Sequence, residues 1–300
     1  MKILICVSGN DPKFKFETTQ VFVWEQIEEI KKQDSSINYK VFAIKGHGIK
    51  GYLSELPRFR KVISEYKPDV IHAHCGQVGA FAVLQRKAPV ITTFHGSDIN
   101  ITKSRILSSI ASVLSKHSIF VSTGLSRKLK IKSHHYSIIP CGVNRDIFKP
   151  LAIHSDKPYV LFSSAFSIPI KNYELAANVM AEFPDIELKE LVNKSRQEVS
   201  ELINGSEFVL LTSFSEGSPQ IIKEAICCSQ KIVSVDVGDV REQISDIPGC
   251  RVCSSNKESL VDSINKVLAE PRPNLNDPGV QYDNVVIARQ IIEIYKETVL

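Results

Sequence analysis

The stretch FVLLTSFSEGSPQIIKEA, Phe208–Ala225, reads as a strand, a tight loop and the first turns of a helix. Phe208–Leu211 is a continuous apolar run, the kind buried on both faces of a parallel sheet. Ser218 is a good N-cap, and Pro219 suits the first helical position, where its missing N–H costs nothing. Gly217 lets the backbone come close to a ligand. A helix starting here aims unsatisfied N–H groups at the loop, which favours phosphate. Along the helix, Ile221, Ile222, Ala225 and Ile226 form one apolar face, while Gln220 and Glu224 share the opposite one. Glu216 leaves from the loop before the helix. Two carboxylates can therefore reach one ligand over the helix start, and carboxylates accept hydrogen bonds from sugar or ribose hydroxyls. A plainer reading of the same residues has Glu216 favouring the helix dipole and Glu224 on a solvated face.

On either side of this stretch, short apolar runs alternate with amphipathic ones. Strands are expected at Lys2–Val7, Tyr39–Ile44, Val70–Ala73, Val90–Thr93, Ser118–Val121 and Tyr136–Ile139, with helices at Thr18–Lys32 and Ser54–Tyr66 among them. The pattern breaks at Asp146–Pro158, which reads as a linker. It resumes with strands at Tyr159–Phe162, Lys231–Val235 and Cys250–Cys253 and helices at Asn172–Glu182, Pro219–Cys228 and Lys257–Leu268. After a loop at Arg272–Asp277, Val285–Val299 is a last helix. The expected class is α/β, with two doubly wound Rossmann-like domains facing a central cleft. Their bounds are set at residues 1–150 and 151–283, with a helix over 284–300 packing back on the first.

Of the 300 residues, 43% are hydrophobic and 23% charged, which excludes a disordered chain. No run is long and apolar enough for a spanning helix, and MKILICVSGN is too short for a secretory signal. The seven cysteines lack framework spacing and are expected as free thiols in a cytoplasmic protein. The net charge of +4 is uneven: residues 1–150 hold 23 basic and 11 acidic side chains, and residues 151–300 hold 14 and 22. The basic half is suited to an anionic partner.

Glu216 and Glu224 fit the E-x7-E pattern of retaining glycosyltransferases of GT-B architecture, family 4 type, and EGSPQIIKEA followed by KIVSVDVGDVREQI resembles that family's signature helix, next strand and loop. KPDVIHAHCG (Lys67–Gly76) and VITTFHGSD (Val90–Asp98) resemble its two histidine segments. IIPCGVNRDIFKP (Ile138–Pro150) resembles its approach to the interdomain linker. The four segments occur in the family's order and cover nearly the whole chain. The resemblance implies that a nucleotide-diphosphate sugar binds mainly to the C-terminal domain and the acceptor to the N-terminal one, with the anomeric configuration retained. It places Glu224 on the ribose hydroxyls and Glu216 near the transferred sugar. The backbone of Gly217 and Ser218, beside Pro219, faces the sugar or diphosphate, Lys171 meets the diphosphate, and His95 meets the transferred sugar. Gly9, His74 and Asp98 are expected on the acceptor side. No metal or other cofactor is required, because the chain has no Asp-x-Asp triplet and Lys171 with the helix start would carry the charge.

Departures from the family pattern stand beside these matches. Phe166 occupies the position that is usually arginine five residues before Lys171, and fixed cations stabilise a departing diphosphate. Ser8-Gly9-Asn10 stands where a Gly-Gly pair is common, and the stretch between Ala177 and Glu207 is short enough to reduce or remove a strand. Other signals are discounted. Gly46-His-Gly48-Ile-Lys-Gly51 follows the second strand, not the first, so it reads as a turn rather than a dinucleotide fingerprint. His72 and His74 share a strand face, Cys75 points away, and no second ligand pair has zinc spacing.

The expected activity is transfer of a sugar to a lipid-linked or cell-envelope glycan acceptor at the cytoplasmic membrane face. The excess charge of the first half and the amphipathic Ile101–Ser115 are suited to an anionic membrane surface. Nucleic acid is not expected, since the basic runs lack interleaved aromatic platforms. A GT-B-shaped module that binds a nucleotide sugar without turnover, and a nucleotide-sugar epimerase, are the alternatives.

Overall fold

The computed structural model describes residues 1–299. The chain divides into two compact units, one formed by Met1–Gly142 with the segment from Asn284 onward, the other by Val143–Asp283. The division falls ahead of the boundary expected at 150. Val143 and Phe148, at the start of the linker stretch, are fully buried in the core of the second unit, which draws that stretch into it.

The first unit has strands β1 (Lys2–Ser8), β2 (Asn38–Ile44), β3 (Val70–His74), β4 (Val90–Phe94), β5 (His117–Phe120) and β6 (Tyr136–Ile138). Its helices are α1 (Phe16–Thr19), α2 (Val21–Gln33), α3 (Gly48–Ser54), α4 (Leu56–Tyr66), α5 (Gly76–Ala82), α6 (Ser97–Asn100), α7 (Thr102–Leu114) and α8 (Thr123–Lys128). The sheet runs β2-β1-β3-β4-β5-β6, parallel throughout. Alternate side chains of β1 supply both faces. Ile3, Ile5 and Val7 pack with Val23, Ile27 and Ile30 of α2, whereas Leu4 and Cys6 pack with Phe59, Ile63 and Phe81. The helix expected over Thr18–Lys32 breaks at Gln20, whose ψ of 46° is not helical. The Gly46–Gly51 segment is not the turn expected of it. Gly48, at a φ of +63°, opens helix α3.

The second unit has β7 (Tyr159–Phe162), β8 (Glu187–Lys189), β9 (Val209–Leu211), β10 (Ile232–Val235) and β11 (Cys250–Cys253). Its helices are α9 (Tyr173–Met180), α10 (Arg196–Gly205), α11 (Gln220–Cys227), α12 (Val240–Ile244) and α13 (Lys257–Ala269). The order is β11-β10-β9-β7-β8, again parallel. The strand whose existence the short 177–207 stretch put in question is β8, reduced to three residues at the sheet edge. The last helix, α14 (Asn284–Val299), packs on α2 and β3 of the first unit, with Ile287, Ala288 and Ile291 in its core.

Both units are doubly wound. In each, the second strand lies on one side of the first and the third on the other. Ligands in such sheets bind outside the carboxyl ends of the strands at that reversal. In the first unit these ends are Ser8 and His74; in the second, Phe162 and Leu211.

Candidate active site

In the second unit, the loop after β7 ends in a 3-10 turn, Pro169–Lys171, and the loop after β9 carries Glu216 to the start of α11. Thr212 ties the two loops together, its hydroxyl donating to the carbonyls of Lys171 (3.0 Å) and Asn172 (2.9 Å). Lys171 Nζ is thereby held 2.7 Å from Glu216 Oε1, both side chains being mostly buried. The side chain of Glu224 is 3% exposed, and its Oε1 accepts from Arg196 Nη2 at 2.7 Å. The Arg196 guanidinium also lies over Phe148, with Cζ 4.5 Å from the ring centroid. Two carboxylate–cation pairs thus stand on the elements that follow β7, β8 and β9. Buried Glu224 is not the solvated-face residue of the plainer reading, and Glu216 pairs with a side chain as well as lying before a helix.

Arg196 was missed from sequence. Its signal is weak but physical. It is the first residue of a helix capped by a Ser195–Glu198 capping box, and a cation at a helix N-terminus opposes the dipole. Such a placement makes sense when a carboxylate elsewhere holds the charge. Phe166 is an aromatic packing residue rather than a substitute cation. Its ring stacks on Tyr173 at 4.1 Å and tilts against Phe162 at 5.5 Å.

The start of α11 differs in detail from the expected cap. Pro219 is itself the N-cap, with a ψ of 124°, and Gln220 is the first helical residue. Ser218 makes no cap bond. Its hydroxyl belongs to a polar cluster with Gln243, whose Nε2 lies 3.4 Å from Ser218 Oγ and 2.6 Å from Asp239 Oδ1. Burial raises the Asp239 pKa despite these bonds and the Lys223 charge. Lys223, on α11, is fully buried with no hydrogen-bond partner for Nζ, and nothing in its sequence context announced this. Gly238, at a φ of +62°, packs against the Glu216–Gly217 backbone. A Cβ there would lie 3.1 Å from Gly217 O and 3.2 Å from Glu216 Cβ.

In the first unit the histidines form a stacked row. His72 is fully buried, with Nδ1 2.6 Å from Tyr295 Oη on α14 and Nε2 2.7 Å from Thr93 Oγ1. Its ring lies on His74 at 4.4 Å, which confirms the shared strand face. His74 Nδ1 is 3.1 Å from His95 Nε2, and His95 Nδ1 is 3.6 Å from Cys141 Sγ. His74 Nε2 is buried without a hydrogen-bond partner. Desolvation lowers the His72 pKa to about 3 and takes His74 well below the usual histidine value, so both are neutral. Asp98 is buried and accepts from the backbone N–H of Gly76 (2.9 Å), Gly96 (2.8 Å) and His95 (3.4 Å). It clamps the loop carrying His95. Burial raises the Asp98 pKa, opposed by those N–H groups. Gly9 is a packing glycine at the end of β1. Its N–H donates to Ile44 O at 2.8 Å, and an added Cβ would meet Ala43 Cβ at 2.7 Å. Cys75, at a φ of +75°, holds a strained conformation beside His74, the kind that collects at functional sites.

All seven cysteines are free, and Cys250 and Cys253 are buried on β11 as structural thiols. Among the described residues no group of three or more His, Cys, Asp or Glu side chains could hold a metal ion. Nor is any helix among them long and apolar enough to cross a membrane.

Residues 19–147 match the model of glycosyltransferase family 4, and residues 187–279 match that of glycosyl transferases group 1. An uncharacterised glycosyltransferase of Methanocaldococcus jannaschii is 24% identical over 87% of this chain and 84% of its own. An N,N'-diacetylbacillosaminyl-diphospho-undecaprenol α-1,3-N-acetylgalactosaminyltransferase of Campylobacter jejuni is 27% identical over 35% of this chain and 30% of its own. Among solved structures, sucrose-phosphate synthase of Thermosynechococcus elongatus superposes with a TM-score of 0.79 at 13% identity, over 99% of this chain and 98% of that one. Anabaena HepE in complex with UDP and glucose gives 0.74 at 17% identity, over 99% of both chains. With the E-x7-E helix, the doubly wound units and the two family models in agreement, the chain is a glycosyltransferase of GT-B fold, of the family 4, group 1 type.

Proposed function

We propose that the protein is a retaining, metal-independent glycosyltransferase that moves a sugar from a nucleotide-diphosphate donor to a lipid-linked glycan acceptor. The observation that carries this reading is the double pairing of Lys171 with Glu216 and Arg196 with Glu224 at the strand ends of the second unit. Lys171 is the cation for the departing diphosphate, and Arg196 is a second positive charge in a unit that lacks the usual arginine at position 166. These two and the start of α11 supply the charge stabilisation that a metal supplies in other transferases. Glu224 holds the ribose hydroxyls, exchanging part of its bond to Arg196 for them, and Glu216 lies near the transferred sugar. The backbone of Gly217 and Ser218 faces the sugar or diphosphate, and His95 meets the transferred sugar. Retention follows from front-face displacement, in which a donor phosphate oxygen takes the proton of the acceptor hydroxyl.

The lipid-linked acceptor is supported by the name of the Campylobacter relative and by the first unit. There Ile101, Ile106, Ile110, Val113 and Leu114 of the α7 region are exposed beside Lys103 and Arg105, as a peripheral membrane face requires. In this reading the protein works at the inner membrane surface.

Ligand-observed NMR of the protein with UDP-, GDP- and ADP-sugars, without added metal, tests the reading. The expected result is selective binding of one donor with slow hydrolysis at retained configuration, lost in Glu224→Ala. Binding of a donor whose sugar stays intact and is passed to no acceptor supports the non-catalytic module instead. A donor sugar changed in place supports the epimerase.

A further inference from the structure

The first unit holds a cavity of about 550 Å³, within the range of small-molecule sites. It opens beside the carboxyl ends of β1 and β3. Its inner end is polar, formed by Ser8, Asn10, Cys75 and Gln77, next in sequence to Gly9 and His74. Asn10 Oδ1 is buried there without a hydrogen-bond donor, a group that a ligand hydroxyl would satisfy. The rest of the wall is apolar: Tyr52, Leu53, Phe81, Leu84, Leu107 and Ile110. Leu53, Leu84 and Ile110 are 47%, 44% and 43% exposed, and Ile49 at the same mouth is 69% exposed. Exposed large apolar side chains gathered at one opening mark a binding surface. The apolar surface does not stop at the mouth. Ile110 belongs both to the cavity wall and to the exposed face of α7, where Ile106 and Val113 continue it.

We infer that this cavity receives the hydrocarbon chain of the acceptor, a polyprenyl-type diphosphate. This inference rests on the glycosyltransferase reading and its lipid-linked acceptor. The acceptor's hydroxyl-bearing head lies at the polar end by Ser8 and Asn10, and its chain leaves along Tyr52, Leu84 and Ile110 toward the exposed face of α7. Residues 1–150 carry 23 basic against 11 acidic side chains, a balance that a diphosphate complements. The cavity thus sorts acceptors by their chain as well as by their sugar.

The test uses the full chain and farnesyl diphosphate as the probe, with inorganic diphosphate as the chainless control and phosphatidylcholine–phosphatidylglycerol vesicles as the membrane control. Leu53→Glu and Leu84→Glu are the variants. Both positions are exposed enough to accept a charge without unfolding the protein, and thermal melting verifies this. Saturation transfer to the prenyl methyls is expected in the wild type, with affinity reduced about tenfold or more in each variant and donor hydrolysis unchanged. Farnesyl diphosphate binding no more tightly than inorganic diphosphate, or binding equally to both variants, overturns the inference. So does loss of vesicle binding in the variants with farnesyl diphosphate binding intact, which makes the patch a membrane face only. If the wild type hydrolyses no nucleotide sugar yet binds the prenyl chain through Leu53 and Leu84, the cavity assignment stands and the transferase reading falls.

Discussion

Arg196→Met is the substitution that most directly tests the second unit's electrostatics. The methionine keeps an apolar stem against Phe148 but removes the guanidinium, leaving the Glu224 carboxylate at 3% exposure without its 2.7 Å partner. Breaking a buried ion pair from one side costs about 3–5 kcal/mol, because the remaining charge is left without compensation. Urea unfolding of the variant, set against the wild type, should show that deficit. The only tryptophan, Trp24, lies on α2 of the first unit, so its fluorescence reports the wrong half. Amide exchange across β9 and α11 is the proper readout. Arg196→Met with Glu224→Gln should recover part of the loss, since neither charge is then buried alone. A deficit below about 1 kcal/mol, the worth of an exposed pair, would refute the reasoning.

Further outcomes follow from the same geometry. Lys171→Met should lower kcat about 100–1000-fold with a smaller change in donor KM, as expected for a charge needed mainly when the diphosphate departs; steady-state kinetics with the identified donor decide it. His72 and His74 are held neutral in the fold and titrate near 6.5 when unfolded, so the unfolded chain binds the extra protons below that value. Stability should therefore be full above about pH 6.5 and fall as pH drops below it, by about 1.4 kcal/mol per unit for His72 down toward 3, with His74 acting in the same direction, seen in a melting series. Gly76→Ala would bring a Cβ within 2.8 Å of Ser108 Cα, parting α5 from α7, and should cost about 1–3 kcal/mol by denaturant titration. Gly238→Ala, strained at its positive φ and crowding Gly217 O, should weaken donor binding more than it lowers melting, as measured by titration of the donor.

The sequence carried the strand ends well because both sheets are parallel and covered on both faces, so β1, β7 and β9 are near-continuous apolar runs, and β3 and β4 are fully buried strands that mix apolar residues with His or Thr. Glu216 and Glu224 stood out by their place around the helix start that follows Phe208–Leu211, and Lys171 through the family resemblance; the structure brings Lys171 onto Glu216. Arg196 was not legible, because its pairing with Glu224 spans different elements and leaves no periodic trace. Lys223 was not, because a lysine on a helix reads as solvated unless the burial of every side of that helix is known. The break at Gln20 and the cap at Pro219 were misplaced because backbone angles at helix ends answer to tertiary packing as much as to residue type. Asp98 was expected on the acceptor side; in the structure its carboxylate accepts from three backbone amides of its own neighbourhood.

The return of α14 to the first unit has a bearing on the order of synthesis. Residues 143–283 are complete once Asp283 has been made, and their ends meet, with Val143 N–H donating to Tyr282 O at 2.7 Å. That segment can close on the ribosome as soon as it emerges. The first unit, although its six strands are translated first, lacks Ile287, Ala288, Ile291 and the Tyr295 hydroxyl that meets His72 until the final helix appears. The half that is begun first is therefore the half that finishes last. During the interval the β1 face carrying Ile3, Ile5 and Val7 is missing one of the helices that cover it.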